Sequence, residues 1–124
     1  MYVHSVFYLR FGVAMSHVHL RNSNLSFDAT EVGDNSQYDA EDFAKNLVKQ
    51  RKSFHMAVVD SFDGLVIIGR SDTYHFKTVL CGYRGNGVDA TVKILQMLGF
   101  DTDRHLKEGA LLTGDSLGYA ILEK

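Results

Sequence analysis

Apolar and polar residues alternate with period two over 2–11, where Val3, Phe7, Leu9 and Phe11 oppose His4, Tyr8 and Arg10. The alternation returns over 15–21, with Val18 and Leu20 opposite His17, His19 and Arg21. Period two marks a half-buried strand. Residues 22–37 are polar apart from Leu25, Phe27 and Val32, which predicts a short strand at 25–27 and then a loop. A helix is expected next. Asp39 is its N-cap, Glu41 and Asp42 sit in the first turn, and Phe43, Leu47, Val48 and Phe54 form its apolar stripe. Lys49, Arg51 and Lys52 then fall at the end that the helix dipole favours for cations.

Two strands, 55–60 and 65–70, flank Ser61-Phe62-Asp63-Gly64, and Asp-Gly before a β-branched run signals a hairpin. A further strand over 74–82 completes an antiparallel meander. Val88, Val92, Leu95 and Leu98 recur at helical spacing, with Gly99 placed to end that helix and Phe100 to pack back on it. A short helix over 102–108 and a last strand over 117–122 follow. Strands and helices do not alternate strictly. The expected fold is therefore α+β, a mainly antiparallel sheet with two main helices packed on one face.

At 124 residues the chain suits a single domain, 1–124. No apolar run is long enough to span a bilayer, and the first ten residues lack the charged start and apolar block of a signal peptide. The single cysteine, Cys81, allows no intrachain disulfide and fits a reducing compartment, so a cytoplasmic location without membrane attachment is expected. Net charge is −2, which argues against a nucleic acid polymer as partner. There is no proline, so turns rest on Gly, Asn, Asp and Ser.

The richest segment runs from Thr78 to Leu95. An apolar strand enters Gly82-Tyr83-Arg84-Gly85-Asn86-Gly87, and an amphipathic helix leaves it. Backbone N–H groups at a helix N-terminus, beside an arginine, suit an anion. The Gly-x-x-Gly-x-Gly order differs from the dinucleotide fingerprint, and no Lys-Ser or Lys-Thr pair follows, so this is not a Walker A loop. In the expected site Tyr83 stacks on a base or ribose and Arg84 meets phosphate. Gly85, Asn86, Gly87 and Val88 supply N–H groups, and Asp89 bonds a ribose hydroxyl. Arg104 and Lys107, with His105 between them, reach over the bound anion.

Other candidates carry less. His17 and His19 project to one strand face, but spacing gives no third ligand, so no metal is expected. Cys81 reads as a buried structural thiol, and no nucleophile–base pair accompanies the glycine turn, so no catalytic residue and no cofactor are assigned. Asp60/Asp63 and Asp101/Asp103 lie in turns, where aspartate bonds locally.

The run Cys81-Gly82-Tyr83-Arg84-Gly85-Asn86-Gly87, with its helix ending Leu98-Gly99-Phe100, resembles small phage anti-Thoeris proteins. These are sponges that bind cyclic ADP-ribose-type signals without cleaving them. The resemblance covers about a fifth of the chain. It implies capture of a small nucleotide-like signal that counters host immunity, by a homodimer or higher homo-oligomer holding the nucleotide with aromatic and arginine side chains. It supplies no catalytic residues. Two alternatives stand beside it. One is a small enzyme acting on a phosphorylated or nucleotide substrate, with His17, His19 or His75 as acid/base. The other is an interaction module using Tyr2, Phe7, Tyr8 and Phe11.

Overall fold

The computed structural model describes residues 15–32, 37–77, 86–102 and 118–124, with backbone alone at 37–39 and 86–88. The expected strand over 2–11 and short helix over 102–108 lie outside or almost wholly outside these residues. Among the described residues six strands and two helices follow in order: β1 (Met15–Leu20), β2 (Leu25–Val32), α1 (Gln37–Lys49), β3 (Phe54–Asp60), β4 (Gly64–Gly69), β5 (Thr73–Phe76), α2 (Asn86–Met97) and β6 (Tyr119–Glu123). The fold is α+β. Its sheet has the order β1-β2-β5-β4-β3-β6, and every neighbouring pair is antiparallel except β2 with β5. No helix among the described residues is long and apolar enough to cross a membrane.

The meander β3-β4-β5 forms as the turn chemistry predicts. Gly64 takes φ +94°, and a Cβ there would lie 2.4 Å from the Phe76 carbonyl oxygen, so only glycine fits. β2 is longer than its three apolar anchors suggested. Its second half is held by parallel pairing of Thr30, Glu31 and Val32 with Tyr74, His75 and Phe76. That long-range partner leaves no local trace in the sequence.

α1 starts two residues before Asp39, which therefore stands in the first turn rather than at the cap. Its buried stripe is Ala40, Ala44 and Leu47, with Phe43 partly buried. Val48 is 44% exposed, and Phe54 opens β3 instead of extending the helix. Two alanines join Leu47 and Phe43 on the packed side. α2 buries Ala90, Ile94 and Leu95, and ends as expected at Gly99 in the left-handed region, φ +88°. Phe100 N–H donates to Leu95 O and Gly99 N–H to Gln96 O, the paired bonds of a glycine-type C-cap.

Two apolar clusters make the core. One joins Ala40, Ala44, Leu47, Ile94 and Leu95 to Ala57, Val59, Leu65, Ile67 and Phe76. The other joins Val58 and Val66, whose side chains alternate to the opposite sheet face, to Val18, Leu20 and Ala29 of the first hairpin. This second cluster reveals how the sheet is shaped. In a flat sheet β2 and β3 would lie about 14 Å apart, three strand spacings. Yet the tip of the β1–β2 hairpin touches the end of β3. Asn22 N–H donates to Asp60 Oδ2 at 3.2 Å, and its Nδ2 to Asp60 Oδ1 at 3.0 Å. The sheet therefore coils, and its first hairpin folds over its own face.

Candidate functional site

The expected anion site is reached only in part by the described residues. Tyr83, Arg84, Gly85, Arg104 and Lys107 lie outside them, as does Cys81. Asn86, Gly87 and Val88 form the first turn of α2, so the helix begins two residues earlier than the apolar spacing indicated. The first turn of any helix has N–H groups without an intrahelical partner. Asp89 is exposed in that turn.

His17 and His19 do share the exposed side of β1, but each has a local partner. His17 Nδ1 lies 2.9 Å from Asp28 Oδ1, and His19 Nδ1 lies 2.9 Å from Ser26 Oγ. These are cross-strand pairs of the β1–β2 register. Among the described residues no three His, Cys, Asp or Glu side chains gather as a metal site.

His75 is buried on the face that the hairpin covers. Its Nε2 donates to the Asp63 carbonyl oxygen, and its Nδ1 faces Glu31 Oε2 at 3.2 Å. That second contact is not a directed hydrogen bond, and among the described residues neither atom has a hydrogen-bond partner. Ser16 Oγ donates to Glu31 Oε1 at 2.6 Å. A carbonyl acceptor requires the proton on Nε2. Both ring nitrogens thus face protein atoms, Nε2 in a hydrogen bond and Nδ1 opposite Glu31. The imidazole is placed as a strut between β2, β5 and the β3–β4 turn.

Asp60 is fully buried, and its carboxylate accepts from Phe62 N–H at 2.9 Å and Asp63 N–H at 3.1 Å besides Asn22. Ser61 extends the junction. Its N–H donates to Gly118 O at 2.9 Å, and its Oγ accepts from Gly118 N–H at 2.9 Å. Arg21 N–H donates to Asp63 Oδ2 at 2.8 Å, and the Arg21 guanidinium stacks 5.0 Å from the Phe62 ring centre. The two aspartates are structural, as their place in a turn implied.

A further group was hidden in the sequence as the basic end of α1. Arg51, Lys52, Ser53 and Arg70 line an open cleft of about 310 Å³ at the start of β3. A wider hollow lined by Ser53, His55 and Arg70 adjoins it. Lys52 Nζ lies 2.6 Å from Asp72 Oδ2. That hydrogen bond, aided by Tyr74, holds the ammonium above its ordinary value against a smaller opposing effect of burial. The available signal was that α1 ends without a glycine or asparagine where one is usual.

Comparison with protein-family models, with curated proteins and with solved structures finds no match for this chain.

Proposed function

We propose that this chain is a binding protein that captures a small anionic, nucleotide-like signal of the cyclic ADP-ribose type and releases it unchanged. Such a protein would act as a sponge against host immune signalling, as the phage anti-Thoeris resemblance implies. The observation that carries the reading is the start of α2 at Asn86, directly after Gly82-Tyr83-Arg84-Gly85. Unpaired N–H groups of a helix start then adjoin an aromatic and an arginine in the chain. Asn86, Gly87 and Val88 offer the N–H groups, Tyr83 and Arg84 the base and phosphate contacts, and Asp89 a ribose contact. Arg104 and Lys107 close the site. The reading takes both helices to pack on one face of the sheet, supported by the cluster that Ala44 and Leu47 share with Ile94 and Leu95.

Binding without chemistry is favoured by the placement of His75, whose two nitrogens already face Asp63 O and Glu31. A homodimer in the cytoplasm completes the proposal. Tyr119 and Ile121, both exposed on β6 at the end of the sheet order, are suited to a second copy. Calorimetric titration with cyclic ADP-ribose isomers tests the reading, with Arg84→Ala as the site variant. Heat of binding from the parent chain and none from the variant is expected. No heat from the parent with any isomer contradicts it.

A further inference from the structure

The cleft at the end of α1 has a sign opposite to the rest of the molecule. Its wall carries three cations, Arg51, Lys52 and Arg70, against one carboxylate, Asp72, in a chain of net charge −2. Lys52 is held by Asp72, which leaves the two guanidiniums without a partner among the described residues. Ser53 adds a hydroxyl to the same wall.

Arg51 supplies an independent observation. It adopts φ +57°, in the left-handed region that disfavours a side chain. It does so at the C-cap of α1, where Arg51 N–H donates to Val48 O and Lys52 N–H to Leu47 O. α2 makes the same pair of bonds with Gly99 in that position. The chain thus uses glycine at one helix end and places a strained arginine at the other, beside the basic cleft. Strain retained at one position, with the relaxed solution used elsewhere in the same fold, points to a role for the side chain.

We infer that this cleft is a phosphoryl-binding site, in which Arg51 and Arg70 grip the phosphate or diphosphate group of a small molecule. Guanidinium forks match two phosphate oxygens at once, and pairing with Lys52 offsets the charge of Asp72 on the same wall. The site is separate from the glycine turn. Lys124 links the adjoining hollow, where His55 lies, to the far end of α2, since its N–H donates to His55 O and its Nζ to Leu98 O. The twelve residues of α2 then set its two ends about 18 Å apart. The inference does not depend on the proposed signal binding at residues 83–89.

Inorganic pyrophosphate titrated into the full chain, followed by backbone amide NMR, provides the test, with sulfate as control anion. Saturable shifts at residues 50–55 and 69–72, stronger for pyrophosphate than for sulfate, are expected. Arg70→Gln and Arg51→Gly should each weaken binding about tenfold. Arg51→Gly should also raise the melting midpoint by about 3 °C, because it relieves the strained cap. Equal, non-saturating shifts with both anions would overturn the inference. So would unchanged pyrophosphate affinity in Arg51→Gly, or shifts confined to residues 86–89.

Discussion

Asn22 and Asp60 are 38 residues apart in the chain and are joined by two hydrogen bonds, one to each carboxylate oxygen. This contact fastens the tip of the β1–β2 hairpin to the end of β3 and closes the coiled sheet over Val58 and Val66. Asp60 also terminates two N–H groups of its own turn. Replacing it by alanine removes one acceptor from four donors at once. A loss of about 3–5 kcal/mol in unfolding free energy is expected for Asp60→Ala, and about 2 kcal/mol for Asn22→Ala. Urea denaturation checks both, and a change below about 0.5 kcal/mol for Asp60→Ala would contradict the closure.

The Glu31–His75 contact should behave as one unit. Glu31→Ala removes the carboxyl group that faces a buried imidazole, and His75→Ala leaves Glu31 Oε2 buried with nothing opposite it. Each is expected to cost about 2–3 kcal/mol, and the double variant clearly less than the sum. A double-mutant cycle by chemical denaturation measures this. Additive losses would mean that the two side chains do not interact.

Gly64 and Gly99 both hold positive φ, but their surroundings differ. A Cβ at Gly64 would meet backbone at 2.4 Å, whereas at Gly99 it would meet only the end of the Lys124 side chain at 3.0 Å. Gly64→Ala should therefore destabilise by about 3 kcal/mol or more, and Gly99→Ala by about 1 kcal/mol. Thermal melts of the two variants separate these outcomes. Equal losses would refute the steric account of the β3–β4 turn.

Lys52 and Asp72 give a pH signature. The folded chain holds the Lys52 ammonium above its ordinary value of 10.5 through the hydrogen bond to Asp72. The stability this contributes is complete below that ordinary value and is lost as pH rises through the folded one. The pair is partly exposed, so about 0.5 kcal/mol is expected. Asp72→Asn should be less stable than the parent by that amount at pH 8, and the difference should shrink as pH rises above 10.5. A difference unchanged over that rise would exclude the pair as its source.

Local chemistry made much of this fold readable. Asp63-Gly64 announced its hairpin, His17 and His19 their shared strand face, and Gly99 the end of α2. What escaped was non-local. Parallel pairing of Glu31 with His75 extends β2 past Phe27 to Val32, and the coil of the sheet brings Asn22 to Asp60. Neither leaves a periodic signal, because the partner lies dozens of residues away. On α1, Phe43 and Leu47 mark the buried side as their spacing indicates, but Ala40 and Ala44 carry little hydrophobic weight there, and Val48 is exposed. The basic cleft went unseen for a related reason. Arg51 and Lys52 looked like charges serving the helix dipole, and only the fold sets Arg70 beside them.

The central claim is capture without conversion. The direct measurement is to incubate the chain with a cyclic ADP-ribose isomer, remove free ligand by dialysis, denature the protein by heat and weigh the released ligand by mass spectrometry. Retention near one ligand per site, with its mass unchanged, is the predicted result. Failure to retain any isomer, or recovery of a product of altered mass, would contradict the account.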